Sequence, residues 1–180
     1  MAIQCRYRTP AGFSDMVMTS DGTALTGLHF VGGRNIPSGS SFCAEPDLPV
    51  FRETRRWLDV YFGGRQPSFT PPCRILDLTP FRQEVLNEMR NIPFGETVTY
   101  GEIATVLARR HDRAKMSAQA VGGAVGWNPL CLIIPCHRVV GARGALTGYG
   151  GGMANKISLL ALEGHAWVHC AASARSSRAC

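Results

Sequence analysis

Three prolines within six residues, Pro67, Pro71 and Pro72, divide this chain. Proline fixes φ and lacks an amide hydrogen, so neither a helix interior nor a central strand runs through such a stretch. Patterning differs on its two sides, and the break over residues 67–77 separates two units. Before it, Asp21-Gly22 sits between short apolar stretches across residues 17–31 and marks a hairpin. A Gly- and Ser-rich loop, Gly32 to Ser41, follows. From Leu48 to Phe62, Val50, Phe51, Thr54, Trp57, Leu58 and Tyr61 recur at helical spacing until Gly63-Gly64 stops them. After the break the signals are helical. Thr79-Pro80 is an N-cap with proline at the first helical position, ahead of a face of Phe81, Val85, Leu86 and Met89. Pro93-Phe94-Gly95 ends it. Thr99 and Glu102 form a capping box for a helix expected to bury Ile103, Val106 and Leu107. The polar stretch Arg109 to Lys115 leads to a second helix from Ser117, built over Ala118–Val125 almost wholly of Ala, Gly and Val and ended by Asn128-Pro129. The expected fold is α+β: an N-terminal α/β domain over 1–72, in which a short sheet carries a helix, then a mainly helical C-terminal domain with a helix-turn-helix over 73–165. Residues 166–180, rich in Ala, Ser and Arg, read as a disordered tail.

The longest apolar run, Leu130 to Pro135, is far short of the roughly 20 residues a membrane span needs, and Met1 to Thr9 lacks the apolar core of a signal peptide. A cytoplasmic location is expected, nucleoid-associated on DNA, or nuclear in a eukaryote. The 180 residues include seven cysteines, an odd number without any CxxC pair, which fits reduced thiols better than a disulfide scaffold. Cys5, His29, Cys43 and Cys73 are too irregularly spaced for a metal site to be the better reading. The net charge of +6 is uneven: residues 97–165 hold seven Lys/Arg against three Asp/Glu, with Arg109, Arg110, Arg113 and Lys115 clustered. Such a half suits a polyanion, although a solvated basic loop is as good a reading of charge alone.

Two helices with a polar connection look like a helix-turn-helix. The second, with almost no long side chains, cannot read base edges in the usual way. It can let backbone approach backbone, or simply pack tightly inside its domain. Next comes the buried run Leu130-Cys131-Leu132-Ile133-Ile134, then Pro135-Cys136-His137-Arg138. A thiol is nucleophilic as thiolate and needs a base or a positive environment. Neighbours on a regular strand face opposite ways, so His137 can serve Cys136 only if the chain turns, which Pro135 favours. Adjacency alone decides nothing.

Taken in order, Asn128-Pro129, Pro135 to Gly141, Thr147-Gly148-Tyr149-Gly150-Gly151-Gly152, Lys156 and Leu162-Glu163-Gly164-His165 closely resemble the O6-alkylguanine-DNA alkyltransferase (methylated-DNA–protein-cysteine methyltransferase) family across residues 78–165. Over 17–70 the resemblance is looser, carried by Leu48 to Phe51 and Trp57 to Phe62. It implies direct-reversal DNA repair: the alkyl group of O6-alkylguanine, and less surely of O4-alkylthymine, moves irreversibly to Cys136, without a cofactor or metal. It also implies roles for single residues. His137 would deprotonate Cys136 through a water, with Glu163 orienting the imidazole and Asn128 bracing the turn. Tyr100 would hydrogen-bond the flipped guanine, while main-chain groups of Cys136, Val139 and Gly150 read its edges; Tyr149 and Lys156 complete the substrate pocket. Ala118, Gln119, Ala120 and Gly122 would lie in the minor groove of double-stranded DNA, with Arg113, Lys115 and Arg138 near phosphates. The chain would act as a monomer, and its target base must leave the stack.

Two positions depart from the family pattern. Gln119 stands where an arginine usually fills the vacated stack, and Cys131 where many members carry proline. The stretch Arg109 to Lys115 also looks longer than in some members. Other classes of function are a Cys-His hydrolase, which would turn over, and a non-catalytic sensor of alkylated DNA, which would lack an acceptor cysteine.

Overall fold

The structure, a computed structural model, describes residues 2–34 and 47–165. Cys43 and the tail read as disordered lie outside the described residues. The expected α+β architecture is what folds. An antiparallel meander, β1 (Ile3–Tyr7), β2 (Met16–Ser20) and β3 (Leu25–Phe30), is followed by α1 (Pro49–Phe62). β2 and β3 flank the Asp21-Gly22 turn, where the Asp21 carboxylate accepts 2.9 Å bonds from the Thr23 and Ala24 amides and Gly22 takes φ +106°. β1 was not expected from the sequence. The helix α1 lays Val50, Phe51, Trp57, Leu58 and Tyr61 against the sheet.

The outer edge of β3 is the part of this sheet that matters for function. An edge strand exposes unpaired amides and carbonyls, and here they recruit residues from the other half of the chain. Leu28 donates to the Pro129 carbonyl at 2.8 Å, and Cys131 donates back to the Leu28 carbonyl at 3.0 Å. Three residues earlier on that edge, Leu25 forms a similar bridge with Cys73, donating to the Pro72 carbonyl and accepting from the Arg74 amide. The segment leading to Cys136 is thereby fastened to the sheet.

The helices α2 (Pro80–Arg90), α3 (Tyr100–Arg110) and α4 (Ala118–Trp127) pack on one another. Each starts at the cap read from sequence: Thr79 accepts from Arg82, Thr99 and Glu102 form the full capping box, and Ser117 accepts from Ala120. One face needs correction. On α3 the buried residues are Ile103, Ala104, Leu107 and Ala108, while Val106 is 40% exposed. Two alanines let α3 approach its neighbours along a stripe that leaves Val106 on the far side. Short strands β4 (Val98–Thr99) and β5 (Val139–Val140) pair in parallel, placing Tyr100 beside the segment after Cys136. The helix α5 (Met153–Leu162) ends at Glu163. One apolar cluster runs through all of this, from Met18 and Phe51 to Val139 and Leu159.

Candidate functional site

Between α4 and Cys136 the chain reverses twice. Ile133 donates to the Cys131 carbonyl at 2.9 Å, closing a three-residue turn around Leu132, whose φ is +71°. A bulky residue in that region is strained, and such strain persists only where the surroundings impose it. Asn128 is the imposing group. Its carboxamide oxygen accepts from the Leu130 amide at 3.1 Å, and its nitrogen donates to the Ile134 carbonyl at 2.8 Å. The same nitrogen lies 3.1 Å from the Cys136 sulfur. A second tight turn, around Pro135, is closed by the Cys136 amide on the Ile134 carbonyl at 2.8 Å. Residues 136–138 then form one turn of 3-10 helix, so Cys136 and His137 leave the backbone in different directions. Pro135 thus makes the turn that the Cys-His pair needed.

His137 is fully buried. Its Nε2 is 2.8 Å from Glu163 Oε1 and 3.2 Å from the Tyr61 hydroxyl, which itself donates to Glu163 Oε1 at 2.7 Å. Arg138 grips the same carboxylate with two 2.9 Å bonds, from Nε to Oε2 and from Nη2 to Oε1, and gives its third to the Ile92 carbonyl at 2.7 Å. The Gly95 amide adds a 3.2 Å bond to Oε2. Burial raises the Glu163 pKa, but the hydrogen bonds of His137 and Arg138 and the guanidinium charge outweigh it and hold the carboxyl well below its usual range. Burial pushes the His137 imidazole down, only partly opposed by Glu163, so it is neutral at pH 7. A neutral imidazole facing a carboxylate through Nε2 carries its proton there, leaving the Nδ1 lone pair as the basic site. Nδ1 is buried and has no hydrogen-bond partner among the described residues.

Cys136 opens into a cavity walled by Tyr100, Asn128, Cys131, Tyr149 and the glycines 148, 150 and 151. The side chains of His29, Phe30 and Arg34, from β3 and the residues after it, close another wall. Gly151 must be glycine, because a Cβ there would meet the Phe30 ring at 2.6 Å and the Tyr149 ring at 2.7 Å. The Tyr149 hydroxyl is buried, bonded to no nitrogen or oxygen; it faces the two thiols. The Tyr100 hydroxyl accepts from Thr147 at 3.4 Å, which leaves its own proton to donate. Burial raises the Tyr100 pKa, so that proton stays in place. Lys156, buried on α5, donates to the Val139 carbonyl at 2.7 Å, leaving that oxygen a second lone pair. Burial lowers the lysine to about 8, against the opposing pull of Cys136.

On the outside, Ala118, Gln119 and Ala120 are exposed at the start of α4, with Gly122 half-buried over the Tyr100 ring. Ala118, Gln119 and Gly122, but not Ala120, border a groove lined also by Thr147, which shares Tyr100, Gly122 and Gly148 with the Cys136 cavity. Arg113 and Lys115 are exposed beside a second groove along α3. Arg138, expected near phosphates, is not there: it is 5% exposed, because its guanidinium is committed to Glu163 and Ile92. Tyr61 was read from sequence only as part of an apolar helix face. A buried tyrosine hydroxyl needs a partner, and that was the signal that it reaches into a polar site. Cys5, His29 and Cys73 do not converge, and the described residues contain no cluster able to hold a metal.

With this geometry in view, the comparisons with known proteins agree with one another. Residues 80–165 match the family model described as 6-O-methylguanine DNA methyltransferase, DNA binding domain. A methylated-DNA–protein-cysteine methyltransferase of Mycobacterium leprae is 40% identical over 166 residues, covering 91% of this chain and 93% of the relative. The enzyme of that name from Haemophilus influenzae is 38% identical, over 87% of this chain and 83% of its own length. Among solved structures, the Mycobacterium tuberculosis O6-methylguanine methyltransferase superposes with a TM-score of 0.76 at 36% identity, covering 91% and 93% of the two chains. A crystal structure of Mycobacterium tuberculosis OGT in complex with DNA gives 0.73 at 35% identity, over 89% and 91%.

Proposed function

This chain belongs to the methylated-DNA–protein-cysteine methyltransferase family, and from that premise we propose that Cys136 is its alkyl acceptor and His137 the base that activates it. The protein repairs DNA by direct reversal, moving the alkyl group of a damaged base to a cysteine. The observation that carries the assignment to Cys136 is the His137 imidazole. Glu163 pins its proton on Nε2, and the unpartnered Nδ1 is left as a base on the residue that follows Cys136, whose sulfur is held by Asn128.

In the proposed sequence, the Cys136 proton passes through a water to His137 Nδ1, and Lys156 offsets the charge that appears on sulfur. The sulfur lone pair then attacks the alkyl carbon, forming S–C as C–O6 breaks. The electron pair stays on guanine, where the Tyr100 proton meets it as a hydrogen bond or a transferred proton. The second lone pair of the Val139 carbonyl and the backbone at Gly150 border the guanine edge. A thioether has no labile bond, so each molecule acts once.

Guanine O6 lies on the paired edge of the base, and reaching it requires extrusion of the nucleotide at a cost of a few kcal/mol. The groove from Ala118 and Gln119 past Gly122 to Tyr100 is the path we assign to it, with α3 and α4 acting as a helix-turn-helix laid in the minor groove. Arg113 and Lys115 would then meet phosphates. DNA-facing and transfer residues thus fall within 73–165, while 1–72 contributes Tyr61 and one cavity wall. No described helix is long and apolar enough to cross a membrane, and a cytoplasmic or nucleoid location goes with this reading.

The test is intact mass after mixing with a methylated duplex. Wild type should gain one methyl per chain, located to Cys136 by peptide mapping. Cys136→Ala should gain none yet bind DNA as before. Methyl on another cysteine would overturn the assignment.

A further inference from the structure

The mechanism above leaves one nucleophile in the cavity unused, Cys131. The two turns around Leu132 and Pro135 bring it back toward Cys136: residues 131 and 134 pair as a bridge, and residues 131 and 136 line the same cavity. Both thiols line that cavity together with Tyr149.

We propose that Cys131 is a further catalytic residue, whose S–H donates a hydrogen bond to the Cys136 sulfur and so holds that sulfur as an aimed thiolate. The proposal rests on Cys136 being the acceptor.

Asymmetry decides which sulfur carries the charge. Cys136 has the Asn128 amide at 3.1 Å, and it feels the Lys156 ammonium. Cys131 has its own backbone tied to β3, and the donors to its sulfur are the Tyr149 hydroxyl and its own backbone amide, neither of them charged. Of the other groups on the Cys136 cavity, His29 from β3 is pushed down to about 4 by burial and is neutral, and the Arg34 cation can only favour a thiolate there. Tyr61 from α1 and Tyr149 from the glycine-rich loop are pushed up, chiefly by burial, and stay neutral. So does Tyr100 at the start of α3. His137 is neutral, and the charges of Glu163 and Arg138 are spent on each other. What titrates is the thiol pair, whose protons leave in two separate steps. The hydrogen bond from Cys131 is the main influence drawing Cys136 down to about 7, against burial and with help from Asn128, Lys156 and Tyr149. That same bond, with burial, drives Cys131 well above the ordinary thiol value, so it remains a donor. During transfer the Cys131 proton stays where it is. Only the Cys136 sulfur pair forms the new S–C bond, and the hydrogen bond loses its charged acceptor once the thioether exists.

The experiment compares wild type, Cys131→Ala and Cys131→Ser in two assays. The first is the pH dependence of Cys136 alkylation by iodoacetamide, read by peptide mass. The second is single-turnover methyl transfer from duplex DNA at pH 7 and pH 9. Thiolate is the reactive form, and one pKa unit corresponds to about a tenfold change in its amount below the midpoint. The alanine variant should therefore shift the alkylation midpoint upward by about one unit, transfer about tenfold more slowly at pH 7, and recover at pH 9. The serine variant, still a donor, should stay close to wild type. An unshifted midpoint in the alanine variant overturns the proposal, as does a serine midpoint displaced as far as alanine's. Should Cys131→Ala not fold, Cys131→Val keeps the volume without the donor and takes its place. If wild type takes up no methyl at all, the acceptor assignment fails, and the iodoacetamide profile alone still decides on Cys131.

Discussion

Arg113 and Arg138 both belong to the basic half of the chain, and the structure gives them opposite surroundings. Arg113 is exposed beside a groove lined also by Arg109 and Lys115. Arg138 is 5% exposed and spends its guanidinium on Glu163 and the Ile92 carbonyl. An exposed cation keeps its hydration and interacts weakly with any anion within a Debye length, so its effect is general and fades with salt. A buried one has given up water and must be matched, so it fixes one carboxylate in one orientation. Through that carboxylate Arg138 acts on His137 and, in the proposed mechanism, through His137 on Cys136. Net charge counts the two residues alike.

The largest effect is expected where that match is broken. Arg138→Met leaves Glu163 buried opposite an imidazole and a phenol, and orphaning one member of a buried pair typically costs about 3–5 kcal/mol. Denaturant unfolding at pH 7 should show a loss of that order. The sign with pH follows from Glu163, whose folded pKa is depressed. In wild type the pair's stabilisation is present above the unfolded carboxyl's value of about 4.3 and is lost as pH falls through the lower folded value. The variant's deficit should therefore be full at pH 7 and shrink as pH drops below about 4. A variant as stable as wild type at pH 7, or a deficit that grows in acid, would place Arg138 back among the surface charges.

The exposed member of the comparison predicts a smaller effect. Replacing Arg113 and Lys115 together by alanine should leave stability within about 0.5 kcal/mol, as for most surface changes. If both meet phosphates, the slope of log affinity against log salt should fall by about 1.8 for duplex DNA. Affinity at low salt should drop for all sequences alike. An unchanged slope would move the phosphate contacts elsewhere, with Arg109 and Arg143 the next basic side chains to vary.

That contrast also marks what sequence could and could not convey. The starts of α2, α3 and α4 were legible because caps act locally: Thr79, Thr99 and Ser117 each satisfy the amide three residues on. The meeting of His137 with Glu163 was legible through their motif. Arg138 was misplaced because its counter-ion is 25 residues away, and no local pattern says that the two meet. Tyr61 was missed for the same reason at 102 residues. Val106 was misassigned because α3 packs on small residues, and alanines carry little weight in a hydrophobic pattern. β1 was overlooked although Ile3, Cys5 and Tyr7 alternate, since five residues with Gln4 and Arg6 between them look like any polar terminus; in the fold Gln4 is buried beside Thr19.

The smallest effect concerns Gln119, and it bears on whether the exposed face does more than attract DNA. Gln119 stands exposed on the first turn of α4, at the mouth of the groove that shares Tyr100 and Gly122 with the cavity. A side chain entering a vacated stack must replace lost contacts with the orphaned base. Arginine does so with a planar, charged guanidinium, whereas glutamine has only a smaller, neutral amide. Stacking is worth about 1–3 kcal/mol per base for aromatic rings, so an amide belongs at or below the lower end. Gln119→Ala should therefore slow repair in duplex by no more than about fivefold, and Gln119→Arg should speed it. Neither should alter transfer from the free alkylated base, which needs no flipping. That second substrate separates the finger from a folding defect, because misfolding would slow both. Equal duplex rates for glutamine, alanine and arginine would show that residue 119 merely borders the groove. The void would then have to be filled by a side chain from the Arg109–Lys115 stretch, and the exposed charges of this face would have a second role beyond attraction.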